Sequence, residues 1–280
     1  MQVHLFSTTN VKADREMELQ RMLDSVSALA ASALQPAVTL NILFQHCSPD
    51  RLAELKAALP AFVRAQAVEG QVSLSKARNI LLAPVLAAQE IAPEALVAFP
   101  DDDGWYPAGL VERIIEHLEA DPRLGFFFCR YGSQPRQWSP EQALTTRPAS
   151  SADVVRNASS NTIFVRGSVA TAVGLFDEQL GLGTPNHGAE DLDYALRAYL
   201  TGRGTAYADA ILVGHRDKTP GIRAKYYRGG MIALGRYGRR QAGLARELAR
   251  KTAVGAYLCL RRELSVGDYL SAVRAGLFAA

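Results

Sequence analysis

A chain of 280 residues has room for one large domain or a domain with an appendage, and its 48% hydrophobic and 21% charged content is that of a globular protein rather than a disordered one. The net charge of +3 is unevenly spread: residues 221–280 hold 12 Lys+Arg against 3 Asp+Glu, a net of +9, which leaves −6 on residues 1–220. A basic tail on an acidic body points to an anionic partner such as a membrane surface or lipid phosphate, and no recognition motif accompanies it that would indicate nucleic acid.

Three widely separated cysteines, Cys47, Cys129 and Cys259, show no metal-ligand spacing and an odd count, which fits a reduced setting without a disulfide framework. The N-terminal residues lack a basic start followed by a long apolar segment. No run of about 18 apolar residues occurs. The expectation is therefore a cytoplasmic protein without a membrane span, peripheral on the inner face of the membrane if it meets lipid.

In chain order, Gln2 to Phe6 is β-prone and is followed by the polar stretch Ser7 to Asn10. Arg15 to Leu34 has helical spacing, with Met17, Leu19, Met22, Leu23, Val26 and Leu29 on one stripe. Val38 to Phe44 reads as a buried strand ending at Gln45-His46-Cys47, and Ser48 or Asp50 can cap a helix over Arg51 to Leu59. Ala61 to Ala67 is a further strand candidate. Ser73 to Asn79 opens a helix running toward Ala88, and Ala95 to Phe99 is a short buried strand. Asp101, Asp102, Asp103, Gly104, Trp105, Tyr106 and Pro107 follow soon after it.

Leu110 to Leu118 reads as a helix and Leu124 to Tyr131 as a very apolar strand. Gln134 to Ser160 is polar and rich in Pro and Ser, without a period, and reads as a long surface loop. Thr162 to Arg166 is a strand and Ser168 to Val173 a short helix. The Gly-rich loop Leu182 to Gly188 leads into a helix opened by Glu190, Asp191 and Asp193. Tyr207 to Val213 is a last strand, closed by Gly214-His215. Beyond Pro220, Ile222 to Tyr237 and Leu244 to Leu260 are Arg-rich helical candidates. Their Tyr226, Tyr227 and Tyr237 could sit at headgroup depth on a membrane.

Alternating strands and helices indicate a doubly wound, mostly parallel sheet, whose ligand lies beyond the carboxyl ends of the strands. Ser7 to Asn10, Gln45 to Asp50 and Asp101 to Asp103 fall at such ends and should converge. Three adjacent carboxylates there suit a hard divalent cation, Mg²⁺ or Mn²⁺, which in turn suits a diphosphate. The alternative is a solvated acidic turn. Glu190, Asp191 and Asp193 can simply complement a helix N-terminus. Beside a metal–diphosphate site, one of them could instead take a proton from a hydroxyl. His215, after a strand and a Gly, is a candidate metal ligand.

The ordered set Ser7-Thr8-Thr9-Asn10, Ser75-Lys76-Ala77-Arg78-Asn79, Phe99-Pro-Asp-Asp-Asp-Gly-Trp-Tyr-Pro, Phe176-Asp-Glu-Gln-Leu-Gly, Glu190-Asp191 and His215 resembles glycosyltransferase family 2, over roughly residues 3 to 217. The stretch Gly183 to Asp191 is most similar to bacterial polysaccharide-assembly members. The resemblance implies a Rossmann-like GT-A fold over residues 1–220, with 221–280 as a basic helical extension. It also implies an inverting transfer of sugar from a nucleotide-diphospho-sugar of UDP or GDP type to a saccharide or lipid-linked saccharide.

By position, Thr8 and Asn10 would border the nucleotide, Arg78 and Asn79 would face base or diphosphate, and Asp101 and Asp102 would lie on the nucleotide side. Asp103 and His215 would hold Mn²⁺ or Mg²⁺, Asp191 would be the base, and Glu190 would hold hydroxyls. Gln45 stands where the family often has an acidic residue at the end of strand two to recognise the nucleotide base, and its amide can still pair with a nucleobase edge. A sugar-phosphate nucleotidyltransferase is the enzymatic alternative, but Ser7 to Asn10 lacks the Gly-rich basic phosphate loop such an enzyme needs. A non-catalytic GT-A-fold binding protein is the other, against which both acidic clusters are intact.

Overall fold

Side-chain alternation along each strand decides which of two apolar cores a residue joins. The computed structural model describes residues 1–138, 142–217 and 222–279. The first half contains β1 (Gln2–Asn10), α1 (Glu16–Ala30), β2 (Ala37–Gln45), α2 (Pro49–Ala58), β3 (Val63–Val68), α3 (Leu74–Ala87), β4 (Leu96–Ala98), α4 (Leu110–Ala120) and β5 (Leu124–Gly132). The second contains β6 (Arg147–Pro148), α5 (Ser151–Asn157), β7 (Ile163–Arg166), α6 (Gly167–Val173), α7 (Glu190–Leu200) and β8 (Gly204–Gly214). It closes with α8 (Ile222–Lys225), α9 (Tyr227–Tyr237), α10 (Ala242–Leu260) and α11 (Val266–Leu277).

The strands form one mixed sheet, order β3-β2-β1-β4-β7-β5-β8-β6, that is mostly parallel. β7 is antiparallel to β4 and β5, and β6 is antiparallel to β8. Val3, Leu5, Ile42 and Phe127 face one core, shared with α1 and α4; Phe6, Leu43, Phe126 and Phe128 face the other, shared with α3, α7 and α9. Because β7 runs backward, its start lies at the same edge as the ends of β1, β4, β5 and β8. That edge is where the polar clusters meet.

Several sequence expectations are corrected. The strand read over Gln2 to Phe6 extends through the polar stretch: Ser7 to Asn10 completes β1 and pairs in register with Ile42 to Gln45. The neighbouring ladder, not side-chain polarity, decides there. The helix read over Arg15 to Leu34 stops at Ala30, and Met17 is 83% exposed, off the buried stripe of Met22, Leu23, Val26 and Leu29. The segment read as a loop over Gln134 to Ser160 contains β6 and α5. α5 starts with a reciprocal Ser150–Asp153 capping box and buries Val154. Seven residues are too few to display a helical period. Residues 139–141 of that segment, and the boundary expected at residues 220 and 221, lie outside the described residues.

The C-terminal tyrosines are not at the surface: Tyr227 is 2% and Tyr237 8% exposed, and Tyr226 is half-buried. Ile232, Leu234 and Tyr237 of α9 join the core of α3 and α7. α11, which no sequence pattern announced, packs so closely on α9 that a Cβ on Gly235 would overlap the Gly276 backbone. Among the described residues no helix is long and apolar enough to cross a membrane.

Candidate active site

The site begins where the sheet order changes direction, between β1 and β4, since crossovers leave β1 and β4 on opposite sides of a crevice. Thr9, near the end of β1, donates a hydrogen bond to Asp102 Oδ2 at 2.8 Å, and Arg15 donates to Asp102 Oδ1 at 2.9 Å. Asp102 thus anchors the acidic turn to β1 and the start of α1. Asp101 and Asp103 are left to face His215 at the end of β8.

His215 Nε2 lies 3.0 Å from Asp103 Oδ1 and 3.6 Å from Asp101 Oδ2. Its Nδ1 donates to the Arg216 carbonyl oxygen at 2.8 Å, and a carbonyl can only accept. The second ring nitrogen therefore points between two carboxylates, the orientation of a metal-ligating histidine. One ligand atom from each of the three residues lies within 4.8 Å of the others. Two carboxylates and an imidazole fit Mn²⁺ well and Mg²⁺ acceptably.

The local charges agree. Burial pushes Asp103 up, but the hydrogen bond from His215 and the nearby Arg216 and Arg15 outweigh it, so its carboxyl sits below the usual range. Burial also raises Asp101, against the pull of Arg78 and His215. Burial pulls His215 down, while Asp103 and Asp101 more than reverse that and hold it above the ordinary imidazole value.

Arg78 connects this cluster to the second one. Its guanidinium, 1% exposed, donates to Asp101 Oδ1 at 3.0 Å and to Glu190 Oε1 at 3.3 Å. It also lies over the Phe176 ring, which packs edge-on to Phe99 and stacks on Tyr194. Glu190 is buried at the start of α7, and burial, with repulsion from Asp191, pushes its carboxyl up to about 7 despite Arg78. Asp191 is half-buried beside it, with Oδ1 accepting from the Leu192 N–H at 2.7 Å.

The loop before α7 is held in unusual backbone. Gly188 has φ of +79°, and Ala189 and His187 are left-handed without being glycine, at +70° and +41°. A non-glycine residue there is strained, and such strain clusters at functional sites. A Cβ on Gly188 would come within 2.9 Å of the Tyr226 ring, so the loop is pressed against the entry to α9.

Not every expected residue faces the crevice. Asn79 does not: its amide donates to the Phe176 carbonyl at 2.9 Å and to Glu178 at 3.0 Å, and its oxygen accepts from the Phe176 N–H at 2.8 Å. Gln45 also bridges protein groups, donating to Thr8 Oγ1 at 3.0 Å and accepting from the Val72 N–H at 2.9 Å. Asn10 Oδ1 accepts from the Lys12 N–H at 2.9 Å, at the half-buried end of β1. Asp193 turns inward to Arg197, Arg236 and Tyr237.

Sequence reasoning missed Arg15, Arg216, Ser160 and Tyr131. Arg216 is 3.1 Å from Asp103 Oδ2. Ser160 donates to Asp101 Oδ1 at 3.2 Å. The Tyr131 ring lies 4.9 Å from that of His215. Arg216 directly follows the singled-out histidine, and Tyr131 sits at a strand end, so the strand-end rule could have reached both. Ser160 lay in the segment read as a featureless loop.

The eight-stranded sheet with its flanking helices has the GT-A fold, on its likeness to solved structures. No protein-family profile and no curated protein sequence matches the chain. Solved structures do. S. aureus TarS aligns over 95% of this chain and 44% of its own, with TM-score 0.60 and 16% identity. TarS 1-349 in complex with UDP-GlcNAc aligns over 84% and 66%, with TM-score 0.58 and 15% identity. GalNAc-T7 with UDP, GalNAc and Mn²⁺ aligns over 84% and 47%, with TM-score 0.57 and 10% identity. The chain spans less than two thirds of the length of these structures, and at such identities the likeness establishes the fold.

Proposed function

We propose that the chain is an inverting, metal-assisted glycosyltransferase that moves a sugar from a nucleotide-diphospho-sugar to an acceptor hydroxyl. The observation that carries this reading is Arg78, whose one buried guanidinium joins the Asp101 side of the crevice to Glu190 at the head of α7. A cation site and a candidate base then share one crevice. The fold neighbours TarS, in complex with UDP or UDP-GlcNAc, and GalNAc-T7, with UDP and GalNAc, favour a UDP-type donor. Residues 1–220 form the transferase unit in this reading and 221–280 a helical extension.

Asp101, Asp103 and His215 would hold Mn²⁺ or Mg²⁺, which supplies Lewis-acid neutralisation of the charge that develops on the leaving diphosphate. The chain's own groups do the rest. Arg15 and Arg216, on the exposed side of Asp103, reach diphosphate oxygens and stabilise the same charge. Arg78 is too buried for that task and positions Asp101 and Glu190. Thr8 borders the nucleotide in this reading.

Asp191 takes the proton of the acceptor hydroxyl as it attacks, and Glu190, held near neutrality by burial, donates a hydrogen bond to a sugar hydroxyl. A single base acting opposite the leaving group gives inversion. The acceptor is a saccharide or lipid-linked saccharide of bacterial surface-polysaccharide assembly. The test is incubation with nucleotide sugars and Mn²⁺ across candidate acceptors, with NMR of the product. Release of nucleoside diphosphate with an inverted anomeric centre is the expected result. Release of pyrophosphate, or no turnover and no donor hydrolysis with any nucleotide sugar, would overturn it.

A further inference from the structure

The end of α10 and the outer face of α11 expose large apolar side chains, of which Tyr257 is met by Arg261. Leu260 is 84% and Phe278 79% exposed, and Tyr257, Val266, Leu270 and Leu277 are each more than half exposed. Tyr257 and Leu260 are one helical turn apart on α10. Val266, Leu270 and Leu277 fall on one face of α11, at intervals of four and seven. Five residues connect the two helices, so Leu260 and Val266 lie close together. The opposite sides of both helices are accounted for: Leu258 and Ala272 pack with Tyr227 and Met231 of α9. Exposed apolar surface of this extent marks a docking face.

The charges around it select the occupant. Arg246, Arg261, Arg262 and Arg274 are exposed on the same two helices and their connection. α10 shows no carboxylate to solvent, because its one acidic residue, Glu247, is buried between Arg156 and Arg250. Glu263 pairs with Arg261 at 2.7 Å, and Asp268 is bonded to Ser265 at the start of α11. A second copy would press arginines against arginines. A bilayer with anionic headgroups offers both an apolar layer and negative charge.

The face is also tied to the crevice. Arg228 donates to Asn186 Oδ1 at 2.9 Å in the loop before Glu190, and to Ser271 Oγ at 2.7 Å on α11.

We propose that the α10–α11 hairpin, rather than the buried tyrosines of α9, is a docking surface for an anionic membrane interface. Leu260, Val266, Leu270 and Phe278 enter the headgroup–acyl boundary, and the flanking arginines meet lipid phosphates. Docking on α11 sets the loop before Glu190 beside the membrane, where an acceptor carried on a lipid would be presented.

The experiment is flotation of the full chain with phosphatidylcholine vesicles, with and without phosphatidylglycerol, at low and high salt. It needs neither donor nor turnover, so its failure is separate from failure of the catalytic proposal. Expected is salt-sensitive binding to the anionic vesicles alone. L260D/L270D should lower it more than tenfold, and R262Q/R274Q about fivefold per arginine, with unfolding temperatures held near the parent value because all four side chains are exposed. Absence of binding at low salt, equal binding to neutral vesicles, or binding indifferent to L260D/L270D would overturn the proposal. So would a dimer in solution that L260D/L270D dissolves while vesicles go unbound.

Discussion

Replacing Arg78 by Met removes the guanidinium between Asp101 and Glu190 while keeping much of its volume over Phe176. Among the described residues Glu190 is then left buried with no cation, and Asp101 keeps Ser160 and His215. Breaking a buried pair from one side costs about 3–5 kcal/mol. For a chain of this size that is a fall in unfolding temperature of about 5–9 °C.

The loss must depend on pH, and the sign is fixed. Glu190, pushed up to about 7 from an ordinary 4.5, holds its proton in the folded state over a range where the unfolded chain has lost it. Its contribution is therefore complete below pH 4.5 and declines as pH rises toward 7. Without Arg78 its carboxyl rises further, so the decline continues to higher pH. The gap between parent and R78M should be small at pH 5 and widest at pH 8. Thermal unfolding followed by circular dichroism in chelator at both values measures it. An equal loss at pH 5 and pH 8 would refute the bridging role.

Asp191→Asn should cut turnover by about 10²-fold or more while leaving the donor dissociation constant within about twofold, read by steady-state kinetics beside calorimetry. Asp103→Asn should abolish the rise in unfolding temperature caused by Mn²⁺, because only two of the three ligands, Asp101 and His215, then remain to hold the ion. Asn79→Ala should cost about 1–3 kcal/mol in urea unfolding, since it leaves the Phe176 N–H and carbonyl without their partner, yet leave donor affinity unchanged. Loss of donor affinity in that variant at intact stability would return Asn79 to the nucleotide side.

The acidic turn was legible as a candidate site because three carboxylates in a row at the end of an apolar strand repel one another unless something cationic sits among them. The strands around it were legible too: Val38 to Phe44 and Leu124 to Tyr131 are too apolar to lie anywhere but in a buried sheet. What sequence could not resolve was direction within a cluster. Asp191 and Asp193 differ by two positions on α7, or about 200° of rotation. One stays at the surface near Tyr131, and the other is sealed against Arg236 and Tyr237. Asp101 and Asp102 diverge similarly in the turn. Only the packed neighbours, which arrive from Arg15, Ser160 and α9, decide which carboxylate faces the crevice.

The same reasoning gives α3 a role that its motif alone did not. Ser75, Arg78 and Asn79 stand at i, i+3 and i+4, so they share one face of the helix. Ser75 donates to the Leu180 carbonyl, Asn79 grips Phe176 through both of its polar atoms, and Arg78 reaches Glu190. One helical stripe thus clamps the segment 176–190 at its start, middle and end. Glycine at 181 is required by that clamp, since its φ is +111° and a Cβ would collide with Ser75 Oγ. The segment that leads into α7 and the candidate base is positioned by a helix whose next strand ends in the acidic turn. Arg78 therefore ties the geometry of the base to that of the cation site, so a change at either should be felt at the other through one buried charge.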